Sequence, residues 1–203
     1  MSQQEGDDGE LRDKGEDATL IEQFMQSTEG ENTESIRNIF KNPDAMAALE
    51  SADSELKTAI LAQPDVVDEL AASGMGPNVV RIMDTLDSEQ QAEVLKARYA
   101  IAGLLHHGES DAVFRLLGDM NADQKTDVLS QSGVVFDIAR EKQGGKLIKL
   151  MRSLDWYRQA TILEKPDAIS ALRSYGQRES VNKMLAGIRA AQEPWLSNPA
   201  VTH

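Results

Sequence analysis

The chain has 203 residues, no cysteine and three histidines, and its formal net charge at neutral pH is −13. The lack of cysteine excludes disulfide bonds, thiol catalysis, zinc fingers and iron–sulfur clusters, and so few histidines argue against a catalytic metal site. Residues 1–31 hold ten acids and two bases, whereas residues 133–203 hold seven acids and eleven bases. The chain is therefore polarised from an acidic to a basic end, and its negative total argues against strong general affinity for nucleic acid.

Residues 1–34, called the leader below, are predicted to be acidic and largely disordered, because they begin with a segment rich in Gly, Asp, Glu and Gln. Four apolar residues predict a short amphipathic helix near residues 19–26: Leu20, Ile21, Phe24 and Met25. This helix is interpreted either as a cap on the first repeat or as a linear motif that docks on another protein. The chain carries neither a cleavable signal peptide nor a long apolar run, so we expect a cytoplasmic location, with signal-independent export left open.

Residues 35–190 repeat with a period of 34 residues and no insertion or deletion. The repetition is clearest in columns of apolar residues, such as Leu70, Leu104, Ile138 and Leu172, or Ile82, Leu116, Leu150 and Met184. A fixed period of this length is typical of stacked units, none of which buries its apolar face alone. We therefore expect an all-α fold, a right-handed α-solenoid of about five helical repeats of the armadillo, HEAT or tetratricopeptide kind.

Each repeat is predicted to contain three short helices, named A, B and C. Helix A is expected over 66–73, 100–107, 134–141 and 168–175. Glycine follows it in three copies, where a left-handed cap favours that residue: Gly74, Gly108 and Gly176. Helix B is expected to begin after Asn42, Gly76, Ser110 and Gly144. Its apolar stripe is wide, which predicts that B lies between neighbouring helices.

Helix C is predicted to begin after a column of good N-cap residues, Asp53, Asp87, Asn121 and Asp155. Pro64 and Pro166 separate C from the next A in two places. Where Arg98 or Ser132 replaces proline, the sequence leaves open whether C and A form one longer helix.

The terminal copies are atypical, as the ends of a stacked array require. The first copy has Ala48 and Ala52 where the others have large residues, and the fifth degenerates after Ile188. Residues 191–203 are predicted to form a C-terminal cap or tail, because their prolines forbid a normal helix C.

Two phrases of the sequence resemble known repeat units. IMDTLDSEQQAEVL (82–95) and LLGDMNADQKTDVL (116–129) are similar to the short-helix units of the flagellar motor-switch and magnesium-transporter N-terminal superhelices. Those families have a different spacing, and the signature positions of tetratricopeptide repeats are not met. The resemblance therefore assigns no family.

A basic ladder is the first candidate site, a cationic column in the middle of helix B: Arg81, Arg115, Lys149 and Lys183. Such a column could hold an acidic peptide, a phosphate-bearing ligand or the leader itself. The alternative is a solvated face with local ion pairs. In this alternative Arg81 pairs with Asp84, Arg115 pairs with Asp111 and Asp119, and Lys183 pairs with Glu179. Lys149 lacks such a partner and is flanked by Lys146 and Arg152, so the ladder is least neutralised there.

Trp156 and Tyr157 are the second candidate site, because they replace small and acidic residues in the first turn of helix C. They are interpreted either as an interaction hot spot or as packing on the C-terminal cap around Trp195. Two weaker patterns carry no site. His106 and His107 suit a helix-end dipole better than a metal, and Gly144–Gly145–Lys146 lacks the other residues of a phosphate loop.

These observations favour a non-enzymatic protein–protein interaction module, an adaptor, regulator or bacterial effector-type scaffold, without cofactor or metal. Its partner-binding residues are expected at Arg81, Arg115, Lys146, Lys149, Arg152, Trp156, Tyr157 and Lys183. The alternative is a site for nucleic acid or a phosphate ligand on the basic ladder of the C-terminal repeats. We also expect a weak, salt-screened contact between the leader and the basic ladder.

Overall fold

The computed structural model describes Ile39 and residues 43–196, and every regular element in this part of the chain is a helix. The predicted all-α class is therefore confirmed. The predictions for the leader, including its helix near residues 19–26, and for residues 197–203 lie outside the described residues.

The described helices recur in the predicted order B, C, A. The B-helices are α1 (Pro43–Ser51), α4 (Gly76–Met83), α7 (Ser110–Asp119), α10 (Gly144–Met151) and α13 (Arg178–Leu196). The C-helices are α2 (Ser54–Leu61), α5 (Ser88–Lys96), α8 (Ala122–Leu129) and α11 (Trp156–Leu163). The A-helices are α3 (Val66–Leu70), α6 (Ala100–His106), α9 (Val134–Arg140) and α12 (Ala168–Leu172).

The C-helices begin where the column of N-cap residues predicts. Asp53, Asp87, Asn121 and Asp155 all have extended backbone, and each side chain accepts a hydrogen bond from a first-turn N–H. The backbone N–H of Gln90 lies 2.9 Å from Asp87 Oδ1, and the Gln90 side chain accepts in return from the Asp87 N–H. Asn121 and Gln124 form the same reciprocal capping box. Each C-helix start is thus stabilised by local hydrogen bonds.

The A-helices are bounded on both sides by residues in the left-handed region. Asp65, Tyr99, Gly133 and Asp167 precede them, and Gly74, Gly108, Lys142 and Gly176 follow them. The left-handed backbone of Tyr99, with φ of 61°, and of Gly133, with φ of 86°, ends the preceding helical path. Helices C and A are therefore separate even where no proline lies between them.

Three of the B-helices start one residue earlier than predicted. Gly76, Ser110 and Gly144 are the first residues of α4, α7 and α10, and the residues before them make no side-chain cap. The left-handed residue two positions upstream turns the chain directly into the helix, so no side-chain cap is needed to set its start. At the other end, α13 continues to Leu196, beyond the predicted repeat boundary at residue 190.

Each A-helix packs on the next A-helix, and each C-helix packs on the next C-helix. Among the A-helices, α3 packs on α6, α6 on α9 and α9 on α12. The C-helices follow the same order from α2 to α11, and α11 then packs on α13. Gly103 in α6 permits the first A–A contact, because a Cβ there would lie 2.5 Å from the Cα of Asp68. Both helix types thus form continuous rows.

The core follows most of the apolar columns. Leu70, Leu104, Ile138 and Leu172 are all buried, as are the repeated pairs of helix C, among them Val94 and Leu95. The B-helices bury a narrower stripe than predicted: Val80, Phe114 and Leu150 are only partly buried, whereas Ile82 and Leu116 are buried. Since one side of B remains in solvent, these helices are not enclosed between neighbours.

Candidate functional site

The basic ladder is neutralised in the first copies, but by other acids than predicted. Arg81 forms an ion pair with Glu50, and Arg115 Nη2 lies 2.8 Å from Asp84 Oδ1. In each pair the acid lies 31 residues earlier: Glu50 is part of α1, and Asp84 directly follows α4. The expected local pairs of Arg81 with Asp84 and of Arg115 with Asp111 and Asp119 are therefore wrong, because the adjacent helix offers a closer carboxylate. Exposed pairs of this kind contribute little stability.

The ion pairs around the basic ladder are different in the later copies. Lys183 Nζ lies 2.7 Å from Glu179 Oε1, the local pair that the sequence predicts. Lys146 Nζ lies 2.7 Å from Asp111 Oδ1, and this contact holds the pKa of Asp111 below its ordinary value. Lys149 and Arg152 are exposed and form no ion pair with the described residues. The prediction that the ladder is least neutralised around Lys149 thus agrees with the ion pairs.

An open groove of about 770 Å³ crosses three consecutive C-helices, α5, α8 and α11. We call it the C-helix groove. Glu89, Asp123 and Tyr157 line it from equivalent first-turn positions, 34 residues apart. Ala92 and Thr126 form its floor from another such pair. The groove exists because the C-helices pack as a row, which aligns equivalent side chains.

Charged side chains of the C-helix groove hold one another in place. Arg158 Nη2 lies 2.5 Å from Asp123 Oδ1, and Arg158 also pairs with its own N-cap residue Asp155. The backbone N–H of Arg158 is the largest reason why the pKa of Asp155 lies below its ordinary value. Lys96 Nζ lies 2.7 Å from Glu93 Oε2, and this hydrogen bond raises the pKa of Lys96. Ion pairs and hydrogen bonds thus link the charged side chains along the walls of the groove.

The two residues of the predicted aromatic site have different environments. The Trp156 side chain is partly buried and packs against the hydrophobic core, whereas Tyr157 is 66% exposed and lines the C-helix groove. Their rings meet edge to face with centroids 6.0 Å apart. This contact joins the exposed ring of Tyr157 to the partly buried ring of Trp156, so Tyr157 is the more exposed of the two. The alternative that both pack around the Trp195 side chain lies outside the described residues.

A second aromatic surface escaped the sequence analysis. Tyr99, Phe136 and Tyr175 are exposed on or beside the A-helices, and the Phe136 and Tyr175 ring centroids are 6.2 Å apart. Arg98 lies over the Tyr99 ring at 4.6 Å, and Arg140 lies over the Phe136 ring at 5.9 Å. These aromatic residues do not share a column, so the period did not reveal them. The sequence could have indicated this surface, because its aromatic residues lie outside the apolar columns.

His106 lies beside a smaller pocket of about 510 Å³ between the A-helices. Its Nδ1 is 3.5 Å from Glu141 Oε1. Burial raises the pKa of Asp68, which lines this pocket, and also that of Asp137 nearby. Within residues 43–196 no group of three or more metal-ligating side chains comes together.

Comparison of the chain with protein-family models, with curated proteins and with solved structures found no match. None of the helices between Pro43 and Leu196 is both long and apolar enough to cross a membrane.

Proposed function

We propose that this chain is a non-enzymatic α-solenoid scaffold of about five helical repeats, which binds another protein through the C-helix groove. The recurrence of caps, left-handed links and core residues at 34-residue spacing supports the repeat architecture. The packing of A-helices and C-helices in continuous rows supports stacking of each unit on its neighbours only. An extended row of aligned helices offers the elongated surface on which such scaffolds bind their partners.

The observation that carries the proposal is the position of Tyr157. Its column holds Glu55, Glu89 and Asp123 in the earlier copies, so a large aromatic side chain replaces acids at one end of the groove. Tyrosine is enriched among the residues that dominate binding energy, because its ring buries a large area at a small cost in conformational entropy. The ion pairs of Arg158 and Lys96 keep the adjacent walls ordered. Together these features suit an interface with an anchor residue and a polar rim.

Affinity capture from a lysate of the source cells tests the proposal. Tyr157→Ala removes the anchor while leaving the partly buried Trp156 in place, and we expect it to lower capture of the partner at least tenfold. Tyr175→Ala, which removes an exposed tyrosine from the A-helix side, is the matched control and should retain capture. Equal capture by all three proteins would refute the C-helix groove as the binding surface.

A second candidate function is binding of nucleic acid or a phosphate ligand on the basic ladder. Lys149 and Arg152 favour it, because they form no ion pair with the described residues. Arg81, Arg115 and Lys146 weaken it, because acids of the preceding copy already neutralise them. A gel shift with a generic oligonucleotide separates the two functions. A shift at low salt that disappears at high salt supports this candidate, and no shift at low salt excludes it.

The physiological setting is also a proposal. A cytoplasmic adaptor or regulator fits the acidic leader and the cysteine-free composition, and an effector exported without a cleavable signal fits them equally. Fractionation of the source cells and of their medium distinguishes the two.

A further inference from the structure

Charged side chains link neighbouring B-helices. Across the first two pairs of B-helices the contact joins residues 31 positions apart, and between α7 and α10 Asp111 meets Lys146, 35 positions later. Glu50 thus pairs with Arg81, and Asp84 pairs with Arg115. Each contact joins an acid to a base, so the first three B-helices are matched in charge.

The 31-residue offset offers no acid to the cations of the last two B-helices. Gly118 stands where an acid would meet Lys149, and Arg152 stands where an acid would meet Lys183. Among the described residues, Lys183 forms an ion pair with Glu179, whereas Lys149 and Arg152 form no ion pair. We call Lys149, Arg152 and Lys183 the cationic B-surface. Like charges on adjacent helices repel, and an anionic ligand relieves that repulsion.

We propose that acidic residues 5–17 of the same chain dock on the cationic B-surface. This segment, EGDDGELRDKGED, holds seven acids and two bases, so its charge complements the surface. Arg81 and Arg115 attract the acidic segment less strongly, because their charges are already paired. The contact is electrostatic, and its strength falls as salt screens it.

The chain between the segment and the first described helix is long enough for this contact. Asp17 and Pro43 are 26 positions apart, which corresponds to roughly 85 Å at full extension. Packed neighbours in the row of C-helices lie about 10 Å apart, so the three steps from α2 to α11 cover roughly 30 Å, and the B-helices, one to each C-helix, span a similar distance. The segment therefore reaches the cationic B-surface with slack.

Docking of this segment makes the cationic B-surface self-regulated. A partner with an acidic face must displace residues 5–17 before it contacts Lys149 and Arg152. The inference goes beyond the proposed function, because the C-helix groove and the cationic B-surface lie on different helices. The loss of partner capture by Tyr157→Ala and the docking of residues 5–17 are consequently separate results.

A paramagnetic label on the full chain tests the docking. The chain has no cysteine, so Gly9→Cys gives a single labelling site inside the acidic segment. We expect the label to weaken the amide NMR signals around Lys149 and Lys183 at least twofold in 50 mM salt. The signals should recover in 1 M salt, where the Debye length is only about 3 Å. Signals around Arg81 should change little.

Charge variants provide the matched control. Lys149→Glu/Arg152→Glu reverses two charges of the cationic B-surface, and it should abolish the weakening around Lys183. Lys142→Glu/Lys165→Glu makes the same change in net charge at positions outside the surface, and it should preserve the weakening.

A mixing experiment distinguishes docking within one chain from docking between two chains. An isotope-labelled chain without the spin label is mixed with an unlabelled chain that carries it. We expect no weakening in this mixture at equal concentrations. Weakening that also appears in the mixture identifies a second copy as the occupant and overturns docking within one chain. Unchanged signals in both samples, or equal weakening around Arg81, overturn the proposal as well.

Discussion

Leu116 and Leu150 occupy the same column of helix B, yet they differ in burial. We therefore expect them to contribute differently to the free energy of unfolding. Leu116 is 1% exposed in α7, whereas Leu150 in α10 is only partly buried. Truncation of a fully buried leucine to alanine costs the transfer free energy of the lost methyl groups and leaves a cavity. We therefore expect Leu116→Ala to lower the free energy of unfolding by about 3 kcal/mol. Leu150→Ala should cost only about 1 kcal/mol, because solvent already reaches that side chain.

Urea unfolding followed by circular dichroism measures both costs. The difference in midpoint, multiplied by a common slope, gives the change in the free energy of unfolding. The sequence alone predicts equal losses, because both residues belong to one apolar column. Equal losses, or a larger loss for Leu150→Ala, would show that burial in the structure does not describe the core of α10 correctly.

Three further predictions concern strain, pH and local stability. Lys142→Gly should raise the free energy of unfolding by about 1 kcal/mol, because Lys142 is left-handed with φ of 61°, and Gly108→Ala in the equivalent position should lower it. Burial raises the pKa of Asp68, which means that its charged form destabilises the fold. Asp68→Asn should therefore raise the free energy of unfolding at pH 7, and this gain should vanish in unfolding curves below about pH 4. Hydrogen exchange should be faster in α1 and α2 than over 100–165, because Ala48 replaces a large core side chain; the reverse order would contradict this.

The helix order could be predicted from the sequence because its signals are local. Asp87 and Asn121 cap their helices through residues three positions away, and Leu104 follows a fixed spacing. The links between helices C and A could not be predicted, because nothing in the identity of Tyr99 indicates a left-handed backbone. At that position the packing of α6 against α3 and α9 overrides local preference.

The candidate site was only partly predictable. The column of Tyr157 identified an unusual exposed aromatic residue, but it could not separate Tyr157 from the partly buried Trp156. The ion pair between Arg115 and Asp84 was missed, because the 34-residue period does not reveal which side chains of successive helices face each other, and these two residues are 31 positions apart. Contacts between copies depend on the tilt and offset of whole helices, and these are determined by packing rather than by local sequence.

Site-specific photocrosslinking tests whether a partner protein binds in the C-helix groove. A photoreactive phenylalanine analogue replaces Tyr157 in one version of the chain and Tyr175 in another, and both are irradiated in the source cells. We expect a covalent adduct with one partner from position 157 and none from position 175. Adducts formed from position 175 alone would place the interface on the A-helix side and contradict the claim.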